Sequence, residues 1–595
     1  MKNKATFLGT IEDVKGASVR VLLSNESLSG LVYVDGQGYR IGQIGTFIKI
    51  PIGFTLLYGI ISQVGASAVP ENLFDKLPYG NRWMTVQLVG EGTTNGNFQR
   101  GISQYPTIGD EAHLVSERDL TKIYGELSDV NYIKIGNIAS SESIPALLDI
   151  DKLVTRHSAI VGSTGSGKSN TVTALLKAIN SGSYPKAKII LVDPHSEYHT
   201  ALKDYSKVYS LDGKNKLKIP YWCLSYNELA LILFDKRQAI DSPQDLRIQE
   251  EILKQKIEVS KKLKSGAIPE HQITVNSPIP FDLKKILYDL YLETFATVNT
   301  KGDLSSVAYK KDKKGKELKG NKDTLELPQF EPAGTGSSPP FIYTTNKLFS
   351  SYLNKLRGKL LDNRIDFIFN TGVYDGITKD LDDLLNEWIN HDKPITILDL
   401  GGVPFETMDL AVGLISRLTF ETMFWGRYLD GIGRQRPLLM VYEEAHSYLP
   451  KGGSNQFVQG YSSNAVRRIC KEGRKYGIGA LIVSQRPSDL DTSILSQCGT
   501  FITLRLSSSD DQSIIRSSIP DNSSGLADSL PSLRTGEAII VGEAIQIPSR
   551  VLIPLMKPRP DSNDAIPSSE WKKTEVENPE FSKAITNWRK QKVEK

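Results

Sequence analysis

The chain has 595 residues, 39% of them hydrophobic and 24% charged, with a formal net charge of only +4. That length exceeds what one hydrophobic core fills and predicts two or three domains, and the near-neutral balance excludes a globally basic coat, so any contact with a polyanion must be local. Three scattered cysteines, Cys223, Cys470 and Cys498, exclude a disulfide framework or a zinc cluster and fit a reducing cytoplasm.

The first sixteen residues carry lysines with no apolar run behind them, so no secretory leader is expected. The most membrane-like stretch, FIKIPIGFTLLYGIISQVG, is broken by Lys49, Pro51 and Gly53 and falls short of the roughly 18 apolar residues a span needs. It reads as two strands around a turn, with no membrane contact. Across residues 1–145, short β-branched runs separated by glycine turns predict a small antiparallel β-barrel. In 146–200 and 390–556 the rhythm changes: the runs AIV, KIILVD, ITILDL, PLLMVY, GALIVS and FITLRL alternate with helical patterns, as in an α/β parallel sheet with helices on its faces.

Between these two stretches, residues 201–389 form a mostly helical insertion. Its segment 245–266 has apolar residues at helical spacing and predicts an amphipathic helix packed on the core. Residues 308–340, rich in Lys, Gly, Pro and Ser with little to bury, predict a mobile loop, a solvated linker whose lysines are able to touch phosphate. Residues 557–595 read as a tail needing a partner subunit.

Gly162, Ser163, Thr164, Gly165, Ser166, Gly167, Lys168 and Ser169 satisfy GxxxxGK[ST] between an apolar run and the helix KSNTVTALLKAIN, and with Asn170 they are the candidate nucleotide-binding residues. Backbone N–H groups and the helix dipole there suit phosphates, with Lys168 reaching the β- and γ-phosphates and Ser169 ligating magnesium. A carboxylate pair is needed at the end of another strand, and PLLMVYEEAH supplies Glu443 for the metal and Glu444 to orient water. Asp193, His195 and Glu197 end one further strand, Gln485 and Arg486 another; Gln485 is a candidate γ-phosphate sensor, and His195 is either a ligand or a packed core histidine. Arg467, Arg468, Arg474 and Lys475 precede a strand, where an arginine complements a helix dipole or, in a ring, reaches a neighbour's nucleotide; Arg474 and Arg468 are the candidates for that finger.

Together HSAIVGSTGSGKSN, VDPHSEY, ILDLGGVP, EEAHSYLP, KEGRKYGIGALIVSQRPSDL and LRTGEAIIVGEAIQIPSRVLI resemble the HerA family of hexameric DNA-translocating ATPases, relatives of FtsK. The resemblance implies a RecA-like P-loop core behind an N-terminal barrel, a helical insertion and a C-terminal brace reaching the next subunit. It also implies ATP and Mg2+ as cofactors, a homo-hexamer, and translocase or helicase action on double-stranded DNA. As partner it implies a nuclease or, in anti-phage defence, a sirtuin-like effector; a nucleotide-gated ring scaffold that activates such an effector is the alternative. Residues 450–464, directly after the acidic pair, are either a link from the γ-phosphate to a central pore or an ordinary surface loop. Two departures stand out: Glu443 occupies a place where FtsK-like relatives carry aspartate, and the Lys-rich loop has no family counterpart.

Overall fold

The structure is a computed structural model describing residues 6–24, 31–34, 37–40, 42–67, 81–93, 98–124, 131–181, 184–234, 242–345, 347–452, 460–518, 524–561, 567–573 and 580–591. Residues 453–459 of the 450–464 segment lie outside these. The chain divides into two compact units, one of Met1–Val208, Asp392–Gly401 and Thr419–Asp564, the other of Tyr209–His391, Gly402–Leu418 and Ala565–Lys595.

In the first unit the early strands form a closed six-strand antiparallel barrel: Phe7–Lys15, Ser18–Leu23, Asn81–Thr93, Thr55–Ser67, Phe47–Ile52 and Glu111–Leu114 pair in a ring. Ring closure comes from Ser18–Leu22 pairing with Trp83–Gln87. Inward residues alternate along Ser18–Leu23 and Asn81–Thr93, as one buried face requires, so Val19, Val21, Met84, Val86 and Leu88 meet Ile48, Ile50 and Leu57 in one core. Phe47–Ile52 and Thr55–Ser67 are the two strands predicted from the interrupted apolar stretch.

The core sheet has 11 strands in the order Ser141–Asp149, Tyr132–Ile138, Ser549–Leu552, Glu537–Gly542, Thr500–Thr503, Ser158–Val161, Ile478–Ser484, Leu438–Tyr442, Lys188–Asp193, Ile395–Asp399, Ser206–Tyr209. The six apolar runs picked out in the sequence are its parallel strands. Covered on both faces, Leu438–Tyr442 and Ile478–Ser484 are buried throughout, which is why they read as continuous apolar runs rather than alternating ones. From Thr500–Thr503 outward the pairing turns antiparallel. The fold class is therefore the one expected, a RecA-like α/β P-loop core with an N-terminal barrel. Arg100 ties the barrel's last hairpin to the core by donating to the carbonyls of Gly542, Ile545 and Gln546, each at 2.7 Å.

The second unit is mostly helical. Its helix Pro243–Ser260 starts on the Ser242 cap, whose hydroxyl accepts from the Asp245 amide, and buries Ile248, Ile252, Gln255 and Lys256 along one face. Lys256 is fully buried and donates to the carbonyls of Val275 and Ser277. Residues 308–340 differ from the loop expected of them. They fold back as short antiparallel bridges, Tyr309 with Phe330, Lys311 with Glu317 and Asn321 with Glu326. The reason is aromatic: Phe330 lies between Tyr309 and Tyr291, at centroid distances of 6.0 and 6.1 Å, and Leu325 is buried beneath the segment. Among the described residues no helix is long and apolar enough to cross a membrane.

Candidate nucleotide site

Ser158–Val161 delivers the chain to the glycine loop, and the helix Lys168–Asn180 takes it away. The loop's backbone is anchored from outside: the Ser163 amide donates to the Arg505 carbonyl at 2.9 Å, and the Gly536 amide to the Ser166 carbonyl at 3.0 Å. Gly167 has φ +102 and a Cβ there would stand 3.2 Å from the Gly536 nitrogen, so both the turn and the close approach demand glycine. The helix's first N–H groups are thereby left facing the loop, the arrangement that binds phosphate.

The acidic pair closes the other side. Leu438–Tyr442 ends beside Lys188–Asp193, and the Glu443 amide donates to the Val192 carbonyl at 3.2 Å. Glu444 takes the left-handed conformation, φ 47 and ψ 42, rare for a glutamate and costing on the order of 1 kcal/mol. Beyond that turn the two carboxylates have different surroundings. The Glu444 carboxylate accepts from the Lys168 ammonium and the Gln485 amide, with His446 Nδ1 3.2 Å from its second oxygen. Gln485 in turn accepts from the Thr164 hydroxyl at 2.6 Å. Glu443 is fully buried, 4.0 Å from Lys168 Nζ.

The electrostatics differ accordingly. Burial pushes the Glu443 carboxyl up to about 8, against the pull of Lys168 and reinforced by Glu444, Glu197 and Asp193. Burial alone would raise Glu444 too, but contacts from His446, Lys168 and Gln485 outweigh it and hold that carboxyl down at about 2. Asp193 is buried and pushed up to about 7 even though the amides of Tyr198 and Glu197 donate to it.

The residues present fit a magnesium nucleotide. Both Glu443 carboxylate oxygens and the Ser166 hydroxyl are buried without a hydrogen-bond partner, and the Ser169 hydroxyl lies 2.8 Å from Glu197. These are hard oxygen donors, the kind magnesium takes in small number alongside phosphate oxygens and water. No group of three or more His, Cys, Asp or Glu among the described residues makes an all-protein metal site.

Thus Lys168, Ser169, Glu443, Glu444, Gln485 and Thr164 converge at the carboxyl ends of three adjacent strands. Asn170 does not join them: its side chain donates to the Pro554 carbonyl and accepts from the Met556 amide, pinning a C-terminal strap along the helix. The strap also meets Glu197, whose carbonyl accepts from the Asp561 amide. Arg474 and Arg468 lie away from the site, before the amino end of Ile478–Ser484, with Gln485 beyond its carboxyl end. Arg468 is committed within its own chain, pairing with Glu421 at 2.6 Å and stacking over Phe420, whereas Arg474 is exposed. His195 is exposed, so it is not a packed core histidine. The roles of His446 and of the turn Arg534–Glu537 that backs the loop did not show in the sequence; EEAH and LRTGE were visible there, but not what they touch.

Known proteins are similar in the sequence that builds this arrangement. The family model described as "Helicase HerA, central domain" matches residues 133–419. The DNA double-strand break repair helicase HerA of Saccharolobus solfataricus is 28% identical over 471 residues, 79% of this chain and 77% of that protein. The chain is thus similar to HerA helicases over most of its length. A HerA helicase of Pyrococcus furiosus is 26% identical over 475 residues, 75% of this chain and 73% of its own length. Among solved structures, the plasmid coupling protein TrwB with a non-hydrolysable ATP analogue covers 74% of this chain and 92% of its own at 14% identity and a TM-score of 0.39.

Proposed function

We propose that this HerA-like chain is a homo-hexameric, ATP-driven translocase of double-stranded DNA. The observation that carries the reading is the convergence of Lys168, Glu444 and Gln485 on one point beside the glycine loop, with Glu443 orphaned behind them. On this reading Lys168 binds the β- and γ-phosphates, Ser169 and Glu443 hold Mg2+, Glu444 orients the attacking water, and Gln485 registers the γ-phosphate. Magnesium supplies neutralisation of the phosphate charge. Arg474 stands about 20 Å of strand from Gln485, at ~3.3 Å per residue over Ile478–Ser484. It therefore serves a neighbouring subunit's nucleotide as the finger. A partner nuclease or sirtuin-like effector, in DNA end processing or anti-phage defence, completes the proposal and rests on the family resemblance alone.

ATP hydrolysis by the purified protein, measured with and without duplex DNA, tests the reading. Stimulation by duplex is expected. No hydrolysis, or hydrolysis indifferent to DNA together with no DNA binding at moderate salt, rejects it. A Glu444→Gln protein that assembles an effector and supports its full activity without turnover would put a gated scaffold in its place.

A further inference from the structure

The Lys-rich segment that the sequence offered as a linker is an ordered finger. Residues 308–322 hold seven lysines against two acidic residues, Asp312 and Glu317. The finger's backbone is fixed at three levels. The Lys310 amide donates to the Gln329 carbonyl at 2.9 Å and the Leu318 amide to the Lys310 carbonyl at 2.8 Å. The tip is a turn built on Asp312, whose side chain accepts from the amides of Lys314 and Lys316 at 2.7 and 3.0 Å. At the base, Phe330 packs between Tyr309 and Tyr291 of the helix Leu283–Phe295.

On this scaffold Lys310, Lys311, Lys313, Lys314 and Lys316 are all exposed. Among the described residues, the finger's salt bridges are those of Lys319 with Glu317 and Lys322 with Asp282; none involves these five. Asp312, the one acid among them, spends its Oδ1 on backbone amides. A solvated linker would let such charges drift apart, whereas a fixed hairpin holds them together at a cost in self-repulsion that a bound polyanion relieves.

We propose that this finger is a second DNA-contacting element, one that grips the phosphate backbone without reading sequence. Lysine ammonium groups are point charges suited to phosphate. The stretch Lys310–Lys319 holds no Arg, Asn or Gln, whose planar groups read base edges by paired hydrogen bonds. An anionic membrane fits less well, because surface binding needs an apolar anchor beside the charges, and no exposed large hydrophobic residue lies between 308 and 322. The proposal takes its duplex from the translocase reading but adds a contact in the unit that lacks the nucleotide site.

The test compares full-length wild type with a protein carrying Lys310→Gln, Lys311→Gln, Lys313→Gln, Lys314→Gln and Lys316→Gln, and with the five Lys→Arg changes. Each is titrated with a labelled mixed-sequence duplex at several salt concentrations. The glutamine protein is expected to bind at least ~10-fold more weakly near physiological salt, with the slope of log affinity against log salt flatter by about 0.9 for each phosphate no longer neutralised. The arginine protein should bind as wild type does, and hydrolysis without DNA should be unchanged in both. Should five changes disturb folding, Lys313→Gln with Lys314→Gln must still flatten the slope, by ~1.8. An unchanged slope and affinity, with DNA-stimulated hydrolysis intact, overturns the finger and leaves the translocase reading standing. Wild type that binds no duplex overturns both. Loss of binding only to phosphatidylserine vesicles, or only to an acidic polypeptide, also overturns it.

Discussion

At the scale of single residues, the two adjacent glutamates behave as opposites because the backbone turns between them. Glu444 sits in a charged, hydrogen-bonded setting and stays ionised, while Glu443 is sealed in beside other carboxylates and holds its proton up to about pH 8. Glu444→Gln should therefore leave nucleotide binding intact and cut turnover by ~100-fold or more, read as retained binding of a fluorescent ATP analogue beside a single-turnover rate. Lys168→Ala should abolish both. Glu443 must ionise to meet a metal, so binding of magnesium–ATP at pH 7 should release a proton, and its affinity should rise with pH up to about 8 and level off above. Calorimetry in buffers of different ionisation enthalpy reads that proton directly; identical heats after buffer correction, with no pH dependence, contradict the assignment. Sequence made the participants legible, since a glycine loop and an acidic pair at strand ends carry their chemistry in their spacing. It could not show the left-handed turn at Glu444 or the approach of His446, because both depend on contacts between strands.

At the scale of elements, the phosphate loop is held by a turn more than 360 residues later in the chain. The Gly536 amide bonds to the Ser166 carbonyl, and next to it the buried Glu537 carboxylate accepts from Arg534 and Arg550 at 2.8 and 2.6 Å. Burial would raise Glu537, but these two guanidinium groups hold it down at about 2. Its contribution to stability is accordingly present above about pH 4.5 and is lost as pH falls toward 2. Glu537→Ala removes an acceptor for charged donors and should cost ~2 kcal/mol, seen as a lower midpoint in urea unfolding. A weaker affinity for ATP should accompany it if the turn steadies the loop. The six parallel strands were legible because each is buried on both faces and reads as one apolar run. The hairpin Tyr132–Asp149 was not assigned to their sheet, since its neighbour Ser549–Leu552 is some 400 residues away. The lysine finger escaped for a similar reason: Tyr291, Tyr309 and Phe330, which order it, are too far apart in sequence to announce a packed unit.

At the scale of the whole molecule, Arg474 gives the sharpest test. In an assembly where it completes a neighbour's site, Arg474→Ala should lower turnover by ~1,000-fold or more while each subunit still binds ATP. Mixing Arg474→Ala with Glu444→Gln protein should then restore part of the activity, because some junctions pair an intact glutamate with an intact arginine. Turnover that never exceeds the sum of the two inactive proteins rules out catalysis across subunits. Arg468, tied to Glu421 and Phe420, should when changed to Ala lower stability more than turnover.

The ring of strands in the amino-terminal barrel has a consequence for how other molecules recognise it. Since Ser18–Leu22 pairs with Trp83–Gln87 to complete the circle, the stretches paired on both sides offer no spare backbone rim for a visiting β-strand to extend. A molecule that docks on that closed part must read side chains displayed at the hairpin ends, such as Phe54, 90% exposed at its turn, so the choice of companion can be rewritten at the tips while the cylinder beneath stays as it is.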